Sequence, residues 1–358
     1  MAHLNDQSNK PMPTGPEAKP SAQRQCSILA IRMQEGQGLG NQLWTYAAAR
    51  SLSEALDASF LVLNPENFKG RNFLEIDTHI NRNNTESSHK RADIDWTPFR
   101  ERLYYDRELD YLSSGFDERL LKLQGNILLD GLLQSEAYFF GNTQKLATYI
   151  RINASSLKRV RLRPSSCILN LRGGEYKRHK RFLLPARYWH QAMDNMQRLA
   201  TISEFVIVTD DPRYAKSLLP SLPIISGSVS DCYAAIHQAQ HVVTSNSTFS
   251  YFPIKTSPTP KLVIAPQYWA RHNSPLNRWA SPANLYRDWW WQSREGSLYS
   301  FDQCSSDAAS TEWLYQSMYN VNSIYQQKRI DALRSSLPLW LRKGSKQALS
   351  RFFPQHFG

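Results

Sequence analysis

Arg172 stands where a short apolar run, Cys167 to Leu171, breaks into Gly173-Gly174-Glu175-Tyr176 and then Lys177-Arg-His-Lys-Arg181. Its guanidinium carries a planar donor fork that matches a phosphate, and the two glycines let the backbone turn sharply and approach a ligand closely. Glu175 adds a carboxylate able to take a proton. Two further polar groups follow apolar runs: Asp210-Asp211 after Phe205 to Thr209, and Ser245-Asn-Ser-Thr248 after His241 to Thr244. Hydroxyls, an amide and free backbone N–H groups at a helix start make an anion cradle. Taken singly, the Arg172 stretch reads equally as a basic, solvated loop, and the other two groups read first as helix caps. Three of them on one edge of one sheet point to a nucleotide diphosphate. In the first half, Glu35-Gly-Gln-Gly-Leu-Gly-Asn-Gln42 offers a further carboxylate and a glycine turn, but its G-x-G-x-G spacing differs from the dinucleotide fingerprint and reads equally as a plain turn.

These groups need strands that end together. Ser27 to Met33 and Phe60 to Leu63 read as strands flanking a helix that begins at Leu43, where Leu43, Tyr46, Ala47, Ala49, Leu52, Ala55 and Leu56 recur at helical spacing. Pro65 to Arg100 is polar and reads as a surface insertion. Leu128 to Phe140 reads as a strand running into a helix. Arg151 to Arg163 is a basic linker ended by Pro164 and is the expected domain boundary. Beyond it, strands at Cys167–Leu171, Phe205–Thr209, His241–Thr244 and Leu262–Ala265 alternate with helices at Tyr188–Ala200, Asp211–Leu219 and Asp231–Gln240. That rhythm predicts parallel sheets covered on both faces, in two Rossmann-like domains. The expected division is a disordered leader at 1–25, an N-terminal Rossmann-like domain at 26–160, a C-terminal Rossmann-like domain at 161–295, and a helical, basic extension at 296–358, with a further helix at Thr311 to Leu333.

The chain has 358 residues and a net charge of +12. A basic balance admits nucleic acid, an anionic membrane surface or an anionic small substrate. From Lys328 to Gly358 seven cations face one anion, so half the excess sits in one tail, interleaved with Trp340, Phe352 and Phe353. That pattern suits peripheral contact with an anionic membrane as well as a solvated tail. The rest carries no named nucleic-acid motif, and no nucleic-acid partner is expected. Four scattered cysteines without a C-x-x-C, a leader without an apolar core, and no run of about eighteen apolar residues predict a cytoplasmic protein, peripheral at most. The sequons at Asn83, Asn153 and Asn246 are then silent. Trp289-Trp-Trp291 reads as packing. With no D-x-D cluster beyond a strand, neither a metal nor a cofactor is expected.

Six segments, in order, resemble the α1,2-fucosyltransferase family. Gly38-Leu-Gly-Asn-Gln-Leu-Trp-Thr-Tyr-Ala47 resembles its G-L-G-N-Q-[ML]-[FW]-x-Y-A signature, and Gly131 to Phe139 its G-Y-x-Q-S-x-x-Y-F element. Asn170 to Tyr176 resembles H-x-R-R-G-D-Y, Val208 to Asp211 the S-D-D element, Ser245 to Ser250 S-N-S-[ST]-F-S, and Val263 to Trp269 V-I-x-P-x-x-W. Asn170, Gly173 and Glu175 replace that motif's histidine, second arginine and aspartate. The resemblance implies two facing Rossmann-like domains of the GT-B type and metal-free, inverting transfer from GDP-fucose to the 2-hydroxyl of a galactose-containing glycan, free or lipid-linked. Expected donor contacts are Gly38, Gly40, Asn41, Asn170, Arg172, Asp210, Asp211, Ser245, Asn246, Ser247 and Thr248. Arg172 is expected to stabilise the leaving diphosphate, with Glu175, Glu35 and Asp210 as candidates for the general base. A sugar-binding protein without turnover, a transferase using another GDP-sugar and a basic nucleic-acid binder are the competing readings.

Overall fold

The computed structural model describes residues 26–81, 94–106 and 108–318. The first half supplies β1 (Cys26–Arg32), β2 (Ser59–Leu63), β3 (Leu74–Ile76), β4 (His79–Ile80), β5 (Thr97–Arg100), β6 (Leu103–Asp106), β7 (Tyr111–Ser114), β8 (Gly125–Asp130) and β9 (Ile150–Ile152), with helices α1 (Leu39–Ala55), α2 (Leu146–Tyr149) and α3 (Ala154–Arg159). The second half supplies β10 (Ser166–Leu171), β11 (Glu204–Thr209), β12 (Ile224–Ile225), β13 (His241–Thr244), β14 (Leu262–Pro266), β15 (Trp290–Gln292) and β16 (Leu298–Tyr299), with α4 (Ala186–Leu199), α5 (Pro212–Leu218), α6 (Val229–Gln238), α7 (Tyr251–Lys255) and α8 (Phe301–Met318).

The first sheet has the order β4-β2-β1-β8-β5 and is parallel except where β4 meets β2. The second has the order β12-β11-β10-β13-β14-β15-β16 and is parallel except at β16. Counted from β10, its six parallel strands run 3-2-1-4-5-6, the Rossmann order. The chain reverses direction across the sheet between β10 and β13, and the crevice above that switch point is where such sheets bind ligands. All six residues of β10 are buried, as a central strand covered on both faces requires. α4 turns Tyr188, Trp189, Ala192, Asn195 and Met196 inward, and α6 starts on a Ser228–Asp231 capping box.

The two sheets share one apolar core. Trp44 of α1 packs against Phe139 from its own half and against Tyr251, Phe252 and Tyr286 from the other. Polar ties run alongside. Fully buried Arg271, after β14, donates through Nε to Asp106 of β6 at 2.7 Å and through Nη1 to Glu108 at 2.8 Å. The Ser281 hydroxyl donates to the Ser114 carbonyl at 2.7 Å, and Tyr251 donates to Glu136 at 2.8 Å.

Several segments depart from expectation, each for a local reason. α1 begins at Leu39 rather than Leu43, so Gly40, Asn41 and Gln42 form its first turn. The expected surface insertion instead holds β3, β4 and β5, anchored by buried Phe68, Phe73 and Leu74, with β5 a parallel strand of the first sheet. The residues 82–93 fall outside the described set. The stretch to Phe140 that follows β8 forms a 3₁₀ turn at Glu136–Phe139 rather than an α-helix, with Leu133 before it and Phe140 after it at φ 51° and 49° in the left-handed region. The basic linker holds β9, paired antiparallel with β3, and α3, packed on α6. α8 starts at Phe301, ahead of the expected Thr311, and its Thr311 hydroxyl accepts from the Trp279 backbone N–H. Trp289 and Trp291 are buried against Tyr286, as read from sequence. The four cysteines are free and buried. Among the described residues no helix is long and apolar enough to cross a membrane. The expected leader, the end of the closing helix and the basic tail lie outside them.

Candidate active site

A cleft of about 280 Å³ opens where the carboxyl ends of β10 and β13 face the start of α1. The second half contributes Arg172, Glu175, Tyr176, Asn246, Ser247, Thr248, Phe249 and Trp269 to its walls. The first half contributes Gly38 to Asn41, Leu112, Leu132 and Gln134.

Three side chains stitch these walls together. Asn41 Oδ1 accepts both from Gln134 Nε2 at 3.1 Å and from Thr248 Oγ1 at 2.8 Å. The close approach needs Gly40, because a Cβ there would stand 2.6 Å from the Thr248 backbone carbonyl carbon and 2.7 Å from the Phe249 nitrogen. Gly40 therefore serves the contact between the halves. Gln42 is also structural: it donates to the Asn67 carbonyl at 2.9 Å and accepts from the Lys69 N–H at 2.9 Å.

Arg172 is held from two sides. Its Nη1 lies 2.8 Å from Asp210 Oδ2, its guanidinium carbon is 5.7 Å from the Tyr176 ring centroid, and its side chain is about one-third exposed. One carboxylate engages one edge of the fork, which leaves N–H groups facing the cleft. The other oxygen of Asp210 accepts from the Gly173 N–H at 2.9 Å, which fixes the loop that carries Arg172. A Cβ on Gly173 would meet Asp211 Cβ at 2.7 Å and Tyr214 at 2.9 Å, so the site of the resembled motif's second arginine has no room for one. Asp211 caps α5 by accepting from the Tyr214 N–H at 3.1 Å. Its Lys177 partner, with the backbone donor, holds its carboxyl below the usual range.

Behind Arg172 lies an uncommon concentration of unsatisfied polarity. Asn170 and Thr244 are register partners on β10 and β13, and Ser245 and Asn246 follow directly. All four are buried, and Asn170 Oδ1, Thr244 Oγ1, Ser245 Oγ and Asn246 Oδ1 have no hydrogen-bond partner. A buried polar atom without a partner costs about 1–3 kcal/mol, so a ligand or waters supplying partners here is favoured. Ser247 is partly committed, accepting from the Phe249 N–H at 3.3 Å as a 3₁₀ cap.

The expected residues thus divide. Gly38, Gly40, Asn41, Arg172, Glu175, Asn246, Ser247 and Thr248 come together on the cleft. Asn170, Asp210 and Ser245 adjoin it through hydrogen bonds or sequence. Asp211 is turned to its helix and Lys177. Glu35 is exposed and is not on the cleft wall, whereas Glu175 is exposed and on it. Tyr176, Gln134 and Trp269 were legible as motif members without a role, whereas Leu112, on the β6–β7 hairpin, gave no sequence signal. Trp269 and Tyr268 hold consecutive positive φ values of 53° and 64°, backbone strain of the kind that clusters at ligand sites.

Glu101, which no motif marked, supports the first-half wall. It is fully buried and accepts from the Leu132 and Leu133 N–H groups at 2.8 Å each, pinning the left-handed Leu133, while Tyr138 contacts its other oxygen at 2.8 Å. Burial outweighs these donors and pushes its carboxyl up to about 8. The folded protein then holds a proton that the unfolded chain loses near pH 4.5, so stability should fall as pH rises from about 4.5 to about 8. Glu101→Gln, which keeps an acceptor for the loop and a donor for Tyr138, should flatten that stretch of the melting-temperature profile. An unchanged pH profile in the variant would show that Glu101 is ionised in the fold.

No family model and no curated protein matches the chain. Among solved structures it is similar to NodZ α-1,6-fucosyltransferase soaked with GDP-fucose, at 12% identity over 65% of this chain and 93% of that one, with a TM-score of 0.37. Fucosyltransferase NodZ from Bradyrhizobium gives 11% identity over the same shares, with a TM-score of 0.37. POFUT1 in complex with GDP gives 10% identity over 67% of this chain and 98% of that one, with a TM-score of 0.39.

Proposed function

We propose that the cleft binds GDP-fucose and transfers fucose to the 2-hydroxyl of a galactose-containing glycan, with inversion, the residues 161–295 holding the donor and 26–160 facing the acceptor. The observation that carries this reading is the switch point itself: a Rossmann-ordered sheet whose crevice is lined by an arginine oriented by Asp210 and by Asn246, one of four residues at the ends of β10 and β13 with an unpartnered buried polar atom. The ordered motif segments from Gly38 to Trp269 supply the identity of the donor.

In this reading the acceptor hydroxyl gives its proton to Glu175 as its oxygen attacks the anomeric carbon from the face opposite the nucleotide. The bond from that carbon to the β-phosphate oxygen breaks, and the electron pair leaves with GDP. Charge grows on the diphosphate as this happens, and the N–H groups of Arg172 that Asp210 leaves unengaged meet it, stabilising the transition state more than the ground state. Asn170, Thr244, Ser245 and Asn246 bind polar groups of the donor. Asp210 is the positioning residue, which leaves Glu175 as the base.

The test is incubation with GDP-fucose and a galactose-ended oligosaccharide, with product linkage read by NMR. The expected product is an α1,2-linked fucoside formed at the same rate in EDTA. A product retaining the donor's β configuration, fucose on another hydroxyl, or loss of turnover in EDTA would overturn the corresponding part of the assignment.

A further inference from the structure

Beside the cleft lies a second cavity of about 390 Å³, and the same two segments wall both. The β6–β7 hairpin gives Leu112 to the cleft and Glu108, Leu109 and Asp110 to the cavity. The loop after β10 gives Glu175 and Tyr176 to the cleft and Lys177 to Arg181 to the cavity. A glycan with its reacting hydroxyl at Glu175 therefore has a continuation along a wall of consecutive basic side chains.

The acids in that cavity are already engaged. The Glu108 carboxylate takes Arg271 at 2.8 Å and the Ser274 hydroxyl at 3.3 Å, and Asp110 accepts from the Tyr105 hydroxyl at 2.7 Å. Two of the cations are engaged as well: Lys177 pairs with Asp211, and Arg181 donates to the Glu108 main-chain carbonyl. Arg178 and Lys180 are exposed, and their side chains have no ion pair or hydrogen bond among the described residues. The loop that carries them is nonetheless fixed, by the Leu183 N–H donating to the Lys180 carbonyl at 3.2 Å and by side chains just beyond them. Asn273 Nδ2 donates to the Arg181 and Leu183 carbonyls at 3.0 and 2.7 Å, and Asn246 Nδ2 donates to that of Phe182 at 3.2 Å. A pinned loop presenting free cations loses less backbone freedom on binding than a mobile one.

We propose that this cavity recognises an anionic group on the acceptor, close to the sugar that receives the transfer. A uronate carboxylate and a phosphate share the required chemistry, since either takes the Arg178 fork and the Lys180 point charge. The inference deepens the transferase reading above and rests on it.

The test uses three probes built on one galactose-ended oligosaccharide: the neutral form, the form with a glucuronate next to the galactose, and the neutral glycan on an undecyl diphosphate. The ratio of kcat/KM for a charged probe to that for the neutral one should be about tenfold at low salt, fall toward one in high salt, and collapse in the R178Q/K180Q variant. A preference for the glucuronate or for the diphosphate probe identifies the source of the anion. Calorimetric binding of the glucuronate probe gives a readout independent of turnover. Binding lost in the variant, with no transfer by either protein, would defeat the fucosyl-transfer reading and keep the anion site. Equal ratios in wild type and variant would overturn the proposal, as would a variant that loses GDP affinity while keeping its preference for charged acceptors, since the cations would then serve the donor.

Discussion

Arg172→Lys should lower kcat/KM by a factor on the order of 10²–10³, the usual loss when one transition-state charge contact goes, although the charge itself is kept. An ammonium can meet Asp210 or a phosphate oxygen, but it cannot present one edge to Asp210 and another to the diphosphate. The Arg172–Asp210 pair is only part-buried, so the melting temperature should move little. Steady-state kinetics with the melting curve separates the two effects. Wild-type turnover in the variant would remove Arg172 from the diphosphate, and a large drop in melting temperature would make the pair structural instead.

The largest effect on stability should come from Arg271→Met. Arg271 has no exposed side-chain surface, and Asp106, which it holds, is also buried. Removing the guanidinium takes a charged partner from that carboxylate inside the contact between the two halves and leaves it the neutral Glu108 and Leu109 N–H donors, and breaking a buried pair in this way costs about 3–5 kcal/mol. Glu108 should lose the arginine that holds its carboxyl below the usual range, but it is part-exposed and water can replace the bond. The companion variant Arg271→Met/Asp106→Asn removes that charge while keeping the oxygen that accepts from the Glu108 and Leu109 N–H groups at 3.0 and 3.2 Å, and should recover part of the loss. Urea unfolding of the single and double variants decides this. A single variant as stable as wild type would mean that water or a shift of the hairpin replaces Arg271.

Much of the second sheet was legible because its strands are apolar runs bounded by turns and a helix starts on the Asp211 cap, although the Ser228 cap went unread and α6 begins at Val229 rather than the expected Asp231. The first half was harder to read. β5 contains Pro98 and Arg100 and only one large apolar side chain, so composition marks it as loop, and pairing with β8 makes it a strand. Glu101 and Arg271 were unreadable for another reason: a charged residue is expected at the surface, and only tertiary contacts make either one buried and partnered. On the site itself, the types of Arg172, Asn246 and Thr248 were enough to mark them. What sequence could not supply was their division of labour. That Gly40 and Asn41 join the halves, that Asp210 orients Arg172, and that Glu175 rather than Glu35 faces the cleft depend on residues far apart in the chain meeting in space.

The melting temperature of the protein with GDP, UDP or CDP is the most direct measurement of whether the β10–β13 crevice is a GDP-sugar site. A nucleotide that binds only the folded state stabilises it by about 2.7 kcal/mol at a hundredfold excess over Kd. GDP should therefore raise the midpoint by several degrees, UDP and CDP much less, and the GDP shift should shrink in Arg172→Lys. Equal shifts from all three nucleotides, or none from GDP at millimolar concentration, would contradict a GDP-sugar site at the β10–β13 crevice.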